Sequence, residues 1–138
     1  MKQGVLVDTG PLVAFLNKRD RFHDWTTAQW NQIAAPMLTC EAVVSESCFL
    51  LSGIKSGSDR VMQLIQREIL MISFHLDEHI DQVKKLLMKY QSVPMSLADA
   101  CLVRMSELHS NSYVFTMDSD FKLYRKNSRQ VIPSIMPG

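Results

Sequence analysis

Short, continuously apolar runs alternate along this chain with longer segments whose apolar residues recur every three or four positions. Val5-Leu6-Val7 is apolar throughout and stops at a Gly-Pro turn, the pattern of a short strand buried on both faces. Pro11 suits the first turn of a helix, which Leu12, Val13, Phe15 and Leu16 carry to Asn17. A charged loop, Lys18 to Arg21, precedes a second helical pattern from Phe22 to Ile33. Pro36 to Thr39 reads as a second short strand or turn, with Thr39 as N-cap of a helix over Glu41 to Leu51. Turn residues Ser56 to Asp59 open a helix over Arg60 to Glu68, and Ile69 to Phe74 is strand-like. Asp77 to Tyr90 is amphipathic, with Ile80, Val83, Leu86 and Leu87 expected inward, until Pro94 breaks it. Ser96 starts a helix to His109, Tyr113 to Phe115 forms a strand, and Val131-Ile132 before Pro133 fits an edge strand.

Strands that alternate with helices imply a parallel sheet covered on both faces. With no linker, repeat or low-complexity tract, the expectation is one three-layer α/β/α domain over residues 1–138. That length supports a core without staples. Three cysteines, Cys40, Cys48 and Cys101, show no C-x-x-C spacing and read as small buried side chains in a reducing compartment. His75 and His79 lack a third soft ligand, which argues against zinc. No apolar run is long enough to span a membrane, and Asp8 interrupts the N-terminal apolar stretch as no signal peptide would. A cytoplasmic protein is expected. The net charge of +1 excludes whole-molecule attraction to nucleic acid, leaving local patches to supply it.

Against this ordinary background four acids stand out. Asp8 closes the first strand, and Asp118 closes Tyr113-Val114-Phe115-Thr116-Met117 in the same way. In open parallel sheets ligands bind beyond the carboxyl ends of the strands, so these two acids should share that rim. Glu46 has Ala42, Phe49 and Leu50 one turn away, whereas Glu41 sits in a first helical turn, where the helix dipole alone favours an acid. Glu46 is therefore the stronger candidate. Asp99 lies at the edge of an apolar face with Leu102 and Val103, although Ser96-x-x-Asp99 also has the spacing of a capping box. Gathered together, the four carboxylates make a hard oxygen site suited to Mg²⁺ or Mn²⁺. Asp120 is placed to act through water or to cap a short helix, and Thr116 to orient a carboxylate or water.

The segments Val5 to Leu12, Thr39 to Glu46, Ser96 to Ala100 and Val114 to Phe121, in this order and spacing, resemble the PIN-domain ribonucleases. Within them they resemble the VapC-like toxins of bacterial toxin–antitoxin pairs. The resemblance implies an about five-stranded, mostly parallel sheet and a Mg²⁺- or Mn²⁺-dependent endoribonuclease. By motif position its four acids fall on Asp8, Glu46, Asp99 and Asp118. On this reading Asp8, Asp99 and Asp118 hold the cation, and Glu46 either joins them or positions the attacking water. RNA would track a rim of Lys122, Arg125, Lys126 and Arg129, with Lys18, Arg19 and Arg21 as a second basic group. The partners implied are an RNA substrate and a cognate antitoxin. Trp25, Trp30 and Phe22 are many aromatics for one helix, and surplus aromatic area fits a homodimer contact, which the resemblance also suggests. No Gly-x₄-Gly-Lys phosphate loop is present. The rival function is a PIN-fold RNA-binding or scaffold protein without catalysis.

Overall fold

The computed structural model describes all 138 residues. Five parallel strands form the central sheet in the order β3-β2-β1-β4-β7. These are β1 (Val5–Val7), β2 (Met37–Thr39), β3 (Leu70–Ile72), β4 (Tyr113–Phe115) and β7 (Ser134–Ile135). β1 is central and its three residues are wholly buried, which is why it reads as an unbroken apolar run rather than an alternating one. Leu6 aligns with Leu38 on one side and Val114 on the other.

The helices are α1 (Thr9–Leu16), α2 (His23–Trp30), α3 (Glu41–Leu50), α4 (Gly57–Gln66), α5 (Ile80–Lys89) and α6 (Leu97–Leu108). They cover both faces of the sheet, as the sequence pattern predicts. α1 packs on α2, α3 and α4, while α6 lies across β1 and β4. The chain winds outward from β1 through β2 to β3, then returns to place β4 on the opposite side of β1. The carboxyl ends of β1 and β4 therefore flank the switch point of the sheet, where such folds leave a crevice.

Several local expectations change. Thr39 is not a helix cap: its hydroxyl donates to the Val7 carbonyl at 2.9 Å, tying β2 to β1, and Cys40 takes the N-cap position instead. Ile80 is not inward but about half exposed, because the first turn of α5 overhangs an open cleft rather than the sheet. Val131-Ile132 is not the edge strand. Gln130–Val131 (β6) pairs antiparallel with Arg125–Lys126 (β5) across a tight loop, and β7 takes the sheet edge. Asn127 and Ser128 both adopt positive φ in that loop, a conformation the Ser did not signal.

The aromatics of α2 serve the core. Trp30 stacks on Phe15 with ring centroids 3.8 Å apart, and Trp25 meets Phe115 edge-on at 5.9 Å. The aromatic surplus behind the homodimer expectation is thus largely turned inward.

Candidate active site

Asp8 follows β1 directly. Its backbone N–H donates to the Phe115 carbonyl of β4 at 2.9 Å, which continues the parallel pairing one residue past the strand. The side chain then caps α1, with Oδ1 accepting from the Thr9 amide at 2.8 Å. Oδ2 accepts from the Thr116 hydroxyl at 2.8 Å, and Thr116 Oγ1 accepts from the Asp118 amide at 2.9 Å. A buried threonine thus couples the two acids at the ends of the two central strands. Gly10 lets α1 approach this point: a Cβ there would lie 2.7 Å from Met117 Cγ, inside contact distance. Asp118 Oδ1 accepts from the Asp120 amide at 2.9 Å and caps the short 3₁₀ turn that follows.

Asp99 sits in the first turn of α6 and is buried. Half of the capping box forms, because Ser96 Oγ accepts from the Asp99 amide at 3.0 Å. The carboxylate itself turns elsewhere, and Oδ2 accepts from the Tyr124 phenol at 2.9 Å. Tyr124 is fully buried, and sequence reasoning missed it. Its signal was available: Phe121 and Tyr124 are three residues apart inside a basic stretch, the spacing of an inward helical face.

Asp8, Glu46, Asp99, Asp118 and Asp120 line one pocket of about 450 Å³, and no Lys, Arg or His contributes to its wall. Glu46 is exposed at this pocket rather than buried. Its neighbours Phe49 and Leu50 are exposed as well, so the core-like face expected around Glu46 does not form, although the residue does face the site. Glu41 lines a different cleft.

None of these carboxylates has a basic partner, since the single ion pair of the chain joins Arg104 to Glu107. Burial is the main force raising the Asp8 carboxyl to about 6; the Thr116 and Thr9 bonds oppose it, and the charges of Asp99 and Asp118 add to it. Asp99 is raised for the same first reason, with the Tyr124 bond opposing and the Asp118 charge adding. Thr9 Oγ1, buried at the same pocket, has no hydrogen-bond partner. Uncompensated acids beside an orphaned hydroxyl fit a hard divalent cation with its waters. As the side chains stand, no three of them are gathered closely enough to coordinate one ion.

The basic rim is thinner than the sequence suggests. Lys126 is buried and its ammonium donates to the Ser110 carbonyl at 3.2 Å, which corrects its placement on a solvent-facing surface. Arg125 folds back on the carbonyls of Lys122, Leu123 and Tyr124. Lys122 and Arg129 remain exposed. His79 stacks on Phe74 and accepts from Arg104, and it joins no metal-binding group.

A parallel sheet with a switch-point pocket walled by acids defines the class. The model of the PIN domain family matches residues 5–127, and the chain belongs to that family. No curated protein matches the sequence significantly. Among solved structures, the fold is similar to that of Mycobacterium tuberculosis VapC20, a sarcin–ricin-loop-cleaving toxin, with a TM-score of 0.74 and 18% identity. That likeness covers 87% of this chain and 94% of the other. PAE2754 from Pyrobaculum aerophilum is similar at a TM-score of 0.55 and 18% identity, over 95% and 92% of the two chains. At such identity the likeness speaks for the fold. No helix of the chain is long and apolar enough to cross a membrane.

Proposed function

We propose that the protein is a Mg²⁺- or Mn²⁺-dependent endoribonuclease, acting as the toxin of a VapBC-type pair with a cognate antitoxin as partner. The observation that carries the nuclease reading is the pocket itself: five carboxylates at the switch point and no basic residue among them. The toxin reading is supported by family membership and by the fold likeness to VapC20.

Asp8, Asp99 and Asp118 would hold the cation. When bound, it supplies charge neutralisation for the phosphodiester oxygens and lowers the pKa of a coordinated water. Thr116 fixes the orientation of Asp8 through its 2.8 Å bond, and Tyr124 does the same for Asp99. Glu46 would either join the three aspartates as a ligand or orient the attacking water, a reading its exposed position at the pocket supports. Asp120 stands behind Asp118, joined to it through its amide. A homodimer remains part of the proposal, although its contact must draw on surface other than Trp30 and Trp25; light scattering of the purified chain tests it.

The deciding experiment incubates structured and unstructured RNA with Mg²⁺, Mn²⁺ or EDTA and compares wild type with Asp8→Asn. Cleavage by wild type that needs the metal and is lost in the variant is expected. The rival reading, a PIN-fold RNA-binding protein without catalysis, draws on the ungathered side chains. It predicts RNA retained but uncut under every condition.

A further inference from the structure

Two loops far apart in sequence bring four cations to one depression of about 390 Å³ beyond the end of α1. Lys18 and Arg19 follow α1, Lys55 precedes α4, and Arg60 belongs to its first turn. All four are exposed, and no Asp or Glu lines the depression. The two acids adjacent in sequence turn elsewhere: Asp59 accepts from Gln63 at 2.7 Å, and Asp20 accepts from the Phe22 amide at 2.9 Å. The carbonyl end of α1 offsets part of the charge, since Arg60 Nη1 donates to the Leu16 carbonyl at 3.3 Å. Lys18, Arg19 and Lys55 have no hydrogen-bond or ion-pair partner for their side-chain charges. Like charges gathered without counter-charge repel, so the arrangement is relieved by an anion.

The depression is linked to the acidic pocket by two elements. Gly10, near the start of α1, lines the acidic pocket, and Leu16 at its end lines the basic depression. Six residues of helix separate them by roughly 9 Å. Along α3, Glu46 and Leu50 line the acidic pocket, and Gly53 just past the helix lines the depression. Leu50, half exposed at the acidic pocket, and its neighbour Phe49, which is 76% exposed, leave open apolar surface at the end of α3, three to four residues before Gly53. A stacked strand advances roughly 3.4 Å per nucleotide, so the interval corresponds to roughly two or three nucleotides.

We propose that this depression is a second phosphate subsite for single-stranded RNA, two or three nucleotides from the phosphate seated in the acidic pocket. The proposal rests on the nuclease reading for the position of the scissile phosphate. Only Leu16 and Ile54 supply apolar wall, too little to enclose the base of a free nucleotide, whereas the exposed apolar end of α3, with Leu50 at the acidic pocket, offers a base of a continuing chain a surface to pack on.

The test compares wild type, the double variant Lys55→Gln/Arg60→Gln, and the charge-keeping pair Lys55→Arg/Arg60→Lys. Binding of a fluorescent oligoribonucleotide octamer is measured in EDTA across a salt series. The expected result is affinity at least about tenfold weaker at low salt in the neutral variant, with a salt slope shallower by about 0.7, the value for one lost phosphate contact on a single strand. The charge-keeping variant should bind as wild type does. With Mg²⁺, a trinucleotide too short to reach the depression should be cut equally by all three proteins. Octamer affinity and salt slope unchanged in the neutral variant overturn the proposal. Unchanged RNA binding together with lost binding of polyglutamate also overturns it, and assigns the depression to an acidic protein segment. If no protein cuts any RNA the nuclease reading fails, while the EDTA binding series still decides the subsite.

Discussion

Two clefts open near one another on the rim of the sheet, and the larger is the less suited to chemistry. The cleft bounded by Cys40, Cys101, Phe74 and Ile80 has a volume of about 670 Å³ and a mainly apolar wall. The acidic pocket has about 450 Å³ and is walled by five carboxylates. Both take residues from the start of α6, where Asp99 faces the pocket and Cys101, two residues on, faces the cleft. One strand order and one helix therefore produce two environments. What separates them is which side chains end up without compensation. The cysteines of the cleft bury weakly polar thiols at small cost, while the aspartates of the pocket retain charge with no basic neighbour.

The comparison breaks most directly through activity. Asp8→Asn and Asp118→Asn are expected to lower RNA cleavage by about a thousandfold, the scale on which a preorganised electrostatic group acts. Cys101→Ala, in the neighbouring cleft, should leave the rate near wild type. Within α3, Glu46→Gln should abolish cleavage and Glu41→Gln should not, because Glu41 lines the apolar cleft. Initial rates on a single RNA check all five variants, and a loss confined to Cys101→Ala or Glu41→Gln would move the active site to the larger cleft.

A smaller effect is expected in stability. Mg²⁺ at a hundred times its dissociation constant should raise the unfolding free energy of wild type by about 2.7 kcal/mol. Asp8→Asn should gain much less. Thermal melts with Mg²⁺ and with EDTA measure the difference, and equal shifts in both proteins would show that Asp8 holds no metal.

Without metal the sign reverses. The Asp8 carboxyl keeps its proton to about 6 in the folded chain, against an ordinary 3.8. Between those values the folded state binds more protons than the unfolded state, so stability falls as pH rises through the window. Above it the penalty is complete and amounts to at most about 3 kcal/mol. Asp8→Asn removes that penalty but reverses one bond to Thr116, which leaves a net gain of about 2 kcal/mol at neutral pH. The gain should vanish as pH falls toward 4. Urea titrations in EDTA at both pH values check it, and a variant less stable than wild type at neutral pH would mean that burial of the charge is not the dominant cost.

Much of this contrast is legible in the sequence, and the rest fails for identifiable reasons. Strand ends are local, so Asp8 and Asp118 could be placed on one rim from two apolar runs and the rule for parallel sheets. Side-chain exposure on α3 is not local. Phe49 and Leu50 have core-like chemistry but face outward, because no element covers that side of the helix end. The same limit applies to Lys126, whose charge looked solvated until the β5–β6 pairing drew it under Ser110. The meeting of Lys18 and Arg19 with Lys55 and Arg60 depends wholly on the packing of α1 beside α4, which no spacing in the chain reveals.

The smallest expected effect concerns Tyr124, the buried partner of Asp99. Tyr124→Phe removes the phenol O–H that donates to Oδ2 at 2.9 Å and leaves the ring in place, edge-on to Tyr90 and Phe121. A hydrogen bond to a charged group contributes about 1.5–3 kcal/mol. In the apo protein, burial already raises the Asp99 carboxyl, so part of that contribution is lost to proton uptake and about 1 kcal/mol of destabilisation is expected. The sign of the pH effect follows from the same bond. Removing the donor raises the Asp99 carboxyl further, so the variant should lose more stability at neutral pH than near pH 4, where the folded-state carboxyl is more fully protonated in either protein. Cleavage should fall only modestly at saturating Mg²⁺ and more steeply when Mg²⁺ is limiting, since a poorly oriented ligand weakens metal affinity first. A uniform loss of activity at all Mg²⁺ concentrations, with stability unchanged, would assign Tyr124 to substrate contact instead of to positioning Asp99.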